Sequence, residues 1–287
     1  MSAALRARRP VVALETSIVG QGLPPPRNLE AALGCEAAIR EGGAVPATVA
    51  LLDGRLRVGL GSGELEQIAS ASHKVSSRDL GPTLVQRSAG ATTVAATMRI
   101  AAMAGIRFLA TGGIGGVHRG HREDESADLL ELSRSEVAVF CSGAKIILDL
   151  PLTMERLESL SVPVVGYGCD ELPAFYTRHG GCPLSARVDG PDEAAAVLEA
   201  AWATGSHGVL VAVPPPEELE GAEELTRQAV AGAEAIRGAD VTPRLLARLA
   251  ALSGGRSVDV NVKLVVNNAR VAAEVARAYA TRVNKGG

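Results

Sequence analysis

One lysine stands in the run Ala138-Val-Phe-Cys-Ser-Gly-Ala-Lys145, which continues into Ile146-Ile-Leu-Asp-Leu150. Apolar residues flank it on both sides, and the pattern reads as a buried strand feeding the start of a helix. An ammonium in such surroundings loses hydration, which lowers its pKa and makes a neutral, nucleophilic amine accessible near neutral pH. The plainer alternative is a side chain that carries its charge to the surface along its own methylene stem. A carboxylate, Glu15, ends the strand-like run Val12-Ala-Leu-Glu15-Thr16. At the carboxyl end of a parallel strand it faces the crevice where open α/β sheets bind ligands, and desolvation there raises its pKa and suits it to general acid–base work. Its alternative role is to cap nearby amides.

Other segments supply polar groups suited to a phosphorylated small molecule. Lys74 opens a basic loop, Lys74-Val-Ser-Ser-Arg-Asp-Leu80, whose clustered cations and hydroxyls suit a phosphate monoester. Thr92 and Thr93 stand where a helix N-terminus could offer free amides to an anion. The loop Gly112-Gly-Ile-Gly-Gly116 leads to His118 and is neither a Walker loop nor a dinucleotide fingerprint. Its glycines permit either close approach of backbone to ligand or simple turns. The run His121-Arg-Glu-Asp-Glu-Ser-Ala-Asp128 gathers four carboxylates, oxygen ligands suited to Mn²⁺ or Mg²⁺, and equally suited to a helix N-terminus. Asn267-Asn268 interrupts an apolar helical pattern, and a nucleobase edge or a neighbouring helix could satisfy such amides.

These groups need a frame. Of 287 residues, 47% are apolar but only 2% aromatic, so the core is built from Ala, Val, Leu and Ile. That mixture suits buried parallel strands under Ala-rich helices and lacks the rings of a single-strand nucleic-acid platform. The net charge of −3 gives no basic field toward nucleic acid or an anionic membrane. The four cysteines form no CxxC pair, and no apolar run reaches the length of a membrane span, so a cytoplasmic protein with free thiols is expected. Strands are expected at Val11–Thr16, Ala47–Leu52, Leu56–Leu60, Phe108–Thr111, Val137–Cys141, Val162–Tyr167 and Gly208–Val213, with a hairpin turn at Asp53-Gly54. Helices alternate with them, at Arg27–Glu41, Ser62–Ala71, Thr93–Ala104, Ala127–Ser133, Thr153–Leu160, Asp192–Thr204 and twice more near the C-terminus. The expected fold is a three-layer α/β/α sandwich with a mixed, largely parallel central sheet, formed by one domain over residues 10–287 behind a flexible tail, 1–9.

Taken in this order and spacing, the motifs around Glu15, Lys74, Thr93, Gly113, Ser126, Lys145 and Asn268 resemble the pseudouridine-5'-phosphate glycosidase family, also described as pseudouridylate synthases or indigoidine-synthase-A-like proteins. The resemblance runs from Pro10 to Val283. It implies cleavage of a carbon–carbon glycosidic bond, with Lys145 as the imine-forming nucleophile and Glu15 as the proton donor. It implies substrate contacts from Lys74, Val94, Thr111, His118, Ser126, Ala127 and Asp128, and a Mn²⁺ or similar hard cation on Asp124. Asn268 is the preferred member of its pair for a ligand contact, and a homotrimer is implied. Two positions depart from the family pattern: Glu125 replaces a common apolar residue, and Cys169 a usual threonine. The segment Val162–Tyr176 matches the family strongly but has no assigned role.

Overall fold

The computed structural model describes residues 1–231 and 241–286. Thirteen strands are described: β1 (Val11–Leu14), β2 (Val45–Leu52), β3 (Arg55–Val58), β4 (His73–Val75), β5 (Gly90–Thr92), β6 (Phe108–Ala110), β7 (Val117–His118), β8 (His121–Glu125), β9 (Ala138–Cys141), β10 (Leu148–Asp149), β11 (Val164–Tyr167), β12 (Ala186–Val188) and β13 (Val209–Ala212). The α-helices are α1 (Ser2–Arg6), α2 (Arg27–Glu41), α3 (Ser62–Ala71), α4 (Leu80–Gln86), α5 (Val94–Met103), α6 (Ala127–Leu132), α7 (Leu150–Ser159), α8 (Pro191–Ala203), α9 (Ala222–Val230), α10 (Val241–Leu252) and α11 (Arg256–Gly286).

The main sheet runs β12-β11-β13-β9-β6-β1-β2-β5-β4, with β3 paired to β2. From β12 to β2 every pairing is parallel, whereas β2 meets β3 and β5 antiparallel. Such inner strands are buried on both faces, so β1 is the uninterrupted run Val-Val-Ala-Leu rather than an alternating pattern. The β2–β3 hairpin turns at Asp53 and Gly54, both with positive φ, as a two-residue hairpin with Asp-Gly requires. Helices α2, α8 and α11 pack on one face and α5 with α6 on the other, giving the mixed α/β/α architecture expected. No helix among the described residues is long and apolar enough to cross a membrane, and all four cysteines are free thiols.

The chain leaves β1 toward β2 on one side and later returns to β6 on the other. This reversal leaves a crevice beyond the carboxyl ends of β1 and β6, the place where doubly wound sheets bind ligands. A second, three-stranded sheet, β10-β7-β8, lies over that end and ties the glycine loop to the segments around Lys145 and Asp124.

Four expectations are corrected. Residues 2–6 form a short helix with Ala4 buried, where a frayed tail was expected. Lys74 lies in β4, paired in parallel with β5, not in a loop. Lys145 does not open a helix: the following Ile-Ile-Leu forms a turn into β10, and α7 begins only at Leu150, capped by the Asp149 side chain. Glu217, Glu218 and Glu220, acidic residues expected to open the helix that follows Pro214-Pro215-Pro216, instead precede α9, whose first turn carries Glu223 and Glu224.

Candidate active site

A cavity of about 510 Å³ opens at the switch point between β1 and β6. Its wall is built from strand ends: Glu15 follows β1, Lys74 comes from β4, Thr93 and Val94 follow β5, Thr111–Gly116 follow β6 and Lys145 follows β9. Of the residues expected at the site, Glu15, Lys74, Val94, Thr111, His118, Asp124, Ser126, Ala127, Asp128 and Lys145 all line it.

Glu15 sits deep in the protein yet faces the cavity. Thr111 donates a hydroxyl hydrogen bond to its Oε1, and Ser17 donates one to Oε2. The Thr111 bond spans the switch point itself. Burial drives the Glu15 pKa up; the nearby Lys145 charge and the two hydroxyl donors pull it back, and Asp128 adds a smaller upward push. The net direction is upward, as a proton carrier requires. Lys145 is half-buried, and its backbone is threaded by Lys145 N to Ile114 O at 3.3 Å.

Asp128 does more than line the cavity. Its Oδ1 accepts from Ala95 N and its Oδ2 from Gly115 N, both at 2.9 Å, so one carboxylate pins the start of α5 to the glycine loop. Ala96 N in that first turn is held by the Thr93 hydroxyl, leaving the Val94 amide on the cavity wall. The glycine loop is glycine for space. A Cβ at Gly113 would meet the Phe175 ring at 2.5 Å, one at Gly115 would meet Ser126 Oγ at 2.3 Å, and one at Gly116 would meet Thr153 Oγ1 at 2.3 Å.

The acidic run disperses in the fold. Glu125 forms a two-pronged ion pair with Arg156, at 2.7 and 2.9 Å, and Asp128 is committed to amides. Glu123 is exposed and does not line the cavity. His118 Nδ1 lies 3.1 Å from both Asp124 O and Asp124 Oδ2. Both partners are acceptors, so Nδ1 carries the proton and Nε2 is left for a ligand. Among the described residues no group of three His, Cys, Asp or Glu side chains converges as a metal cage. The donor set therefore fits only a hydrated hard cation on Asp124, completed by water and substrate oxygens.

Asn268, expected at the ligand, is not brought to the cavity. It is fully buried and absent from the cavity wall. Its Nδ2 donates to Thr111 O at 2.9 Å, Gly112 O at 3.3 Å and Ser142 Oγ at 3.1 Å. Asn267 is turned away and accepts from Arg270. The amide at the cavity is Asn261, seven residues earlier on the same buried stripe of α11 and therefore two turns, about 10 Å, back along the helix axis. Asn261 is 5% exposed, and its Oδ1 is buried with no partner among the described residues. Three more groups were not anticipated. Ser17 belongs to the Glu15 motif; Phe175 lines the cavity with a positive φ of 65°; Arg119 braces the chain after Lys145. The period of the α11 stripe would have revealed Asn261; nothing local marks Phe175.

The sequence matches the Indigoidine synthase A like protein family over residues 1–278. It is 52% identical to a protein of Deinococcus radiodurans named pseudouridine-5'-phosphate glycosidase, over 98% of this chain and 93% of that one. A Herpetosiphon aurantiacus protein of the same name is 51% identical, over 96% and 95%. Among solved structures, the prealnumycin C-glycosynthase AlnA in complex with ribulose 5-phosphate superposes with a TM-score of 0.90 at 40% identity, covering 99% of this chain and 96% of that one. An indigoidine synthase A-like protein of Thermotoga maritima gives 0.89 at 33% identity, covering 94% and 92%. With a site of this geometry on this fold, the chain belongs to the indigoidine synthase A-like family.

Proposed function

We propose that this protein interconverts pseudouridine 5'-phosphate plus water with uracil plus ribose 5-phosphate. The carrying observation is the juxtaposition, at the sheet's switch point, of a buried carboxyl with raised pKa and a lysine close enough for its charge to act on it. The relatives' names and a related structure holding a pentulose phosphate support the same reading.

The bond to be cleaved joins sugar C1' to base C5, so protonating an exocyclic glycosidic oxygen provides no leaving group. Lys145 Nζ instead attacks C1' and displaces the ring oxygen O4', which takes up a proton. Glu15 delivers a proton to C5 of the base. The C1'–C5 bond then breaks as the nitrogen lone pair forms an imine at C1', and uracil departs. Water hydrolyses the imine to ribose 5-phosphate and frees Lys145.

The remaining groups hold the substrate. Lys74, the Val94 amide and Ser126 suit the phosphate and sugar. Asn261, beside Phe175 and Gly112, suits the base edge, whose N–H and carbonyl groups an amide can match. Asp124 would hold the hydrated divalent ion, which supplies positive charge toward the substrate phosphate. A trimer, implied by the family resemblance, is measurable by sedimentation.

Borohydride added with ribose 5-phosphate should attach a sugar phosphate at Lys145, located by peptide mass spectrometry. A Lys145→Ala protein that labels equally, or a wild type that releases no uracil from pseudouridine 5'-phosphate, would overturn the proposal.

A further inference from the structure

We propose that Arg119 is a positioning residue for Lys145, acting through the backbone that carries it; this rests on the nucleophile role assigned above. Lys145 lies on neither a strand nor a helix. After it the chain turns, Leu148 N donating to Lys145 O at 2.9 Å, and the turn's side chains Ile146 and Leu148 are 5% and 1% exposed. The carbonyls of Ile146 and Leu148 both point to one guanidinium: Arg119 Nε donates to Leu148 O at 3.0 Å and Nη2 to Ile146 O at 3.1 Å.

Arg119 is itself well placed to act as a brace. It follows His118, which pairs with Leu148 in the β7–β10 ladder, and precedes Gly120, whose positive φ of 74° makes the tight turn into β8. A planar guanidinium that spans two carbonyls fixes both position and tilt of the turn, which a single ammonium does not. The same side chain is not part of the cavity wall, so it does not touch the substrate. The catalytic amine is thus held from behind by a residue of the glycine-loop motif.

Displacement of a reacting group by about 1 Å costs on the order of 100-fold in rate. Arg119→Ala should therefore lower kcat and the borohydride-trapping rate at Lys145 together, by about 10- to 100-fold. The KM for pseudouridine 5'-phosphate and the affinity for ribose 5-phosphate should stay within about twofold, since no substrate contact is lost. Methylguanidinium, or Arg119→Lys, should restore part of the trapping rate. Amide hydrogen exchange at residues 145–149 should accelerate in Arg119→Ala.

Unchanged kcat and trapping, or a loss confined to KM, overturns the assignment, as does unaltered exchange at 145–149. A wild type that never labels at Lys145 defeats the nucleophile role instead, and the exchange measurement still decides whether Arg119 braces the turn. Should Arg119→Ala not fold, Arg119→Lys carries the same comparison.

Discussion

Replacing Asn268 by alanine should destabilise the protein, whereas replacing Asn261 should impair catalysis without that loss. Asn268 has no exposed surface and donates to Thr111 O, Gly112 O and Ser142 Oγ. Gly112 O also accepts from Ser142 N, so it keeps a partner. Truncation leaves Thr111 O and the Ser142 hydroxyl deprived in a dry interior, at about 1–3 kcal/mol for each group. A total near 3 kcal/mol is a reasonable centre. Unfolding entropy of about 2.1 cal/mol/K per residue gives about 0.6 kcal/mol/K for a chain of this length, so Tm should fall by about 5 °C. Asn261 differs, because its buried Oδ1 has no partner among the described residues to lose. Asn261→Ala should hold Tm within about 1 °C while raising KM for the nucleotide. Differential scanning calorimetry and steady-state uracil release measure both. If Asn268→Ala leaves Tm untouched and raises KM, while Asn261→Ala lowers Tm, the two amides have been assigned the wrong way round.

Three further outcomes are expected. The Glu15 pKa is raised in the folded protein, so its carboxyl costs nothing below the ordinary value of 4.5 and becomes a burden as pH rises through its folded pKa. Urea unfolding should show Glu15→Gln gaining on the wild type across that window and above it, with no gain in acid; a gap that shrinks with rising pH would refute the shift, and turnover should be lost throughout. Gly143 has a φ of 73°, and a Cβ there would sit 1.8 Å from Pro173 O. Gly143→Ala should cost more than the ~1–2 kcal/mol of a left-handed backbone alone, read by denaturant titration. Mn²⁺ should bind weakly by itself and more tightly with ribose 5-phosphate present, as followed by the paramagnetic resonance of free Mn²⁺. Asp124→Asn should abolish that gain, and equal binding by the variant would remove Asp124 as the ligand.

Long apolar runs and strong helix ends were legible before any coordinates. β1 and β13 are buried runs of Val, Leu and Ala, β9 is the buried run Ala-Val-Phe-Cys, β2 is buried from Ala47 to Leu52, and α2 ends at Gly42-Gly43. What escaped were strands made by pairing rather than propensity. His-Lys-Val in β4 and Gly-Ala-Thr in β5 are too short and polar to stand out, and β8 is a charged segment held by its partner β7. Ile146-Ile-Leu looked helical because three apolar residues cannot distinguish a turn from a helix; Asp149 with Pro151 marked the true start. Within the site, the strand-end rule points to Glu15 alone; Lys74, Val94, Thr111, His118, Asp124, Ser126, Ala127 and Asp128 are carried by the family resemblance. Asn267 and Asn268 are adjacent in sequence, but helical phase sets Asn268 on the buried stripe with Asn261 and turns Asn267 toward Arg270. Glu125, an anomaly in one dimension, is explained in three by Arg156.

The bond between Thr111 and Glu15 joins positions 96 apart, and Asn268 reaches back across 157 residues to the same threonine's carbonyl. Nothing shorter than the whole β1–β6–β9 core with its covering helix can reproduce that arrangement. During synthesis Lys145 emerges well before Asn261 and Asn268, so the nascent chain carries the amine long before its chamber exists. On the mechanism proposed above, reactivity toward sugar aldehydes is in this way deferred to the completed protein, and a stalled or clipped chain presents an ordinary lysine.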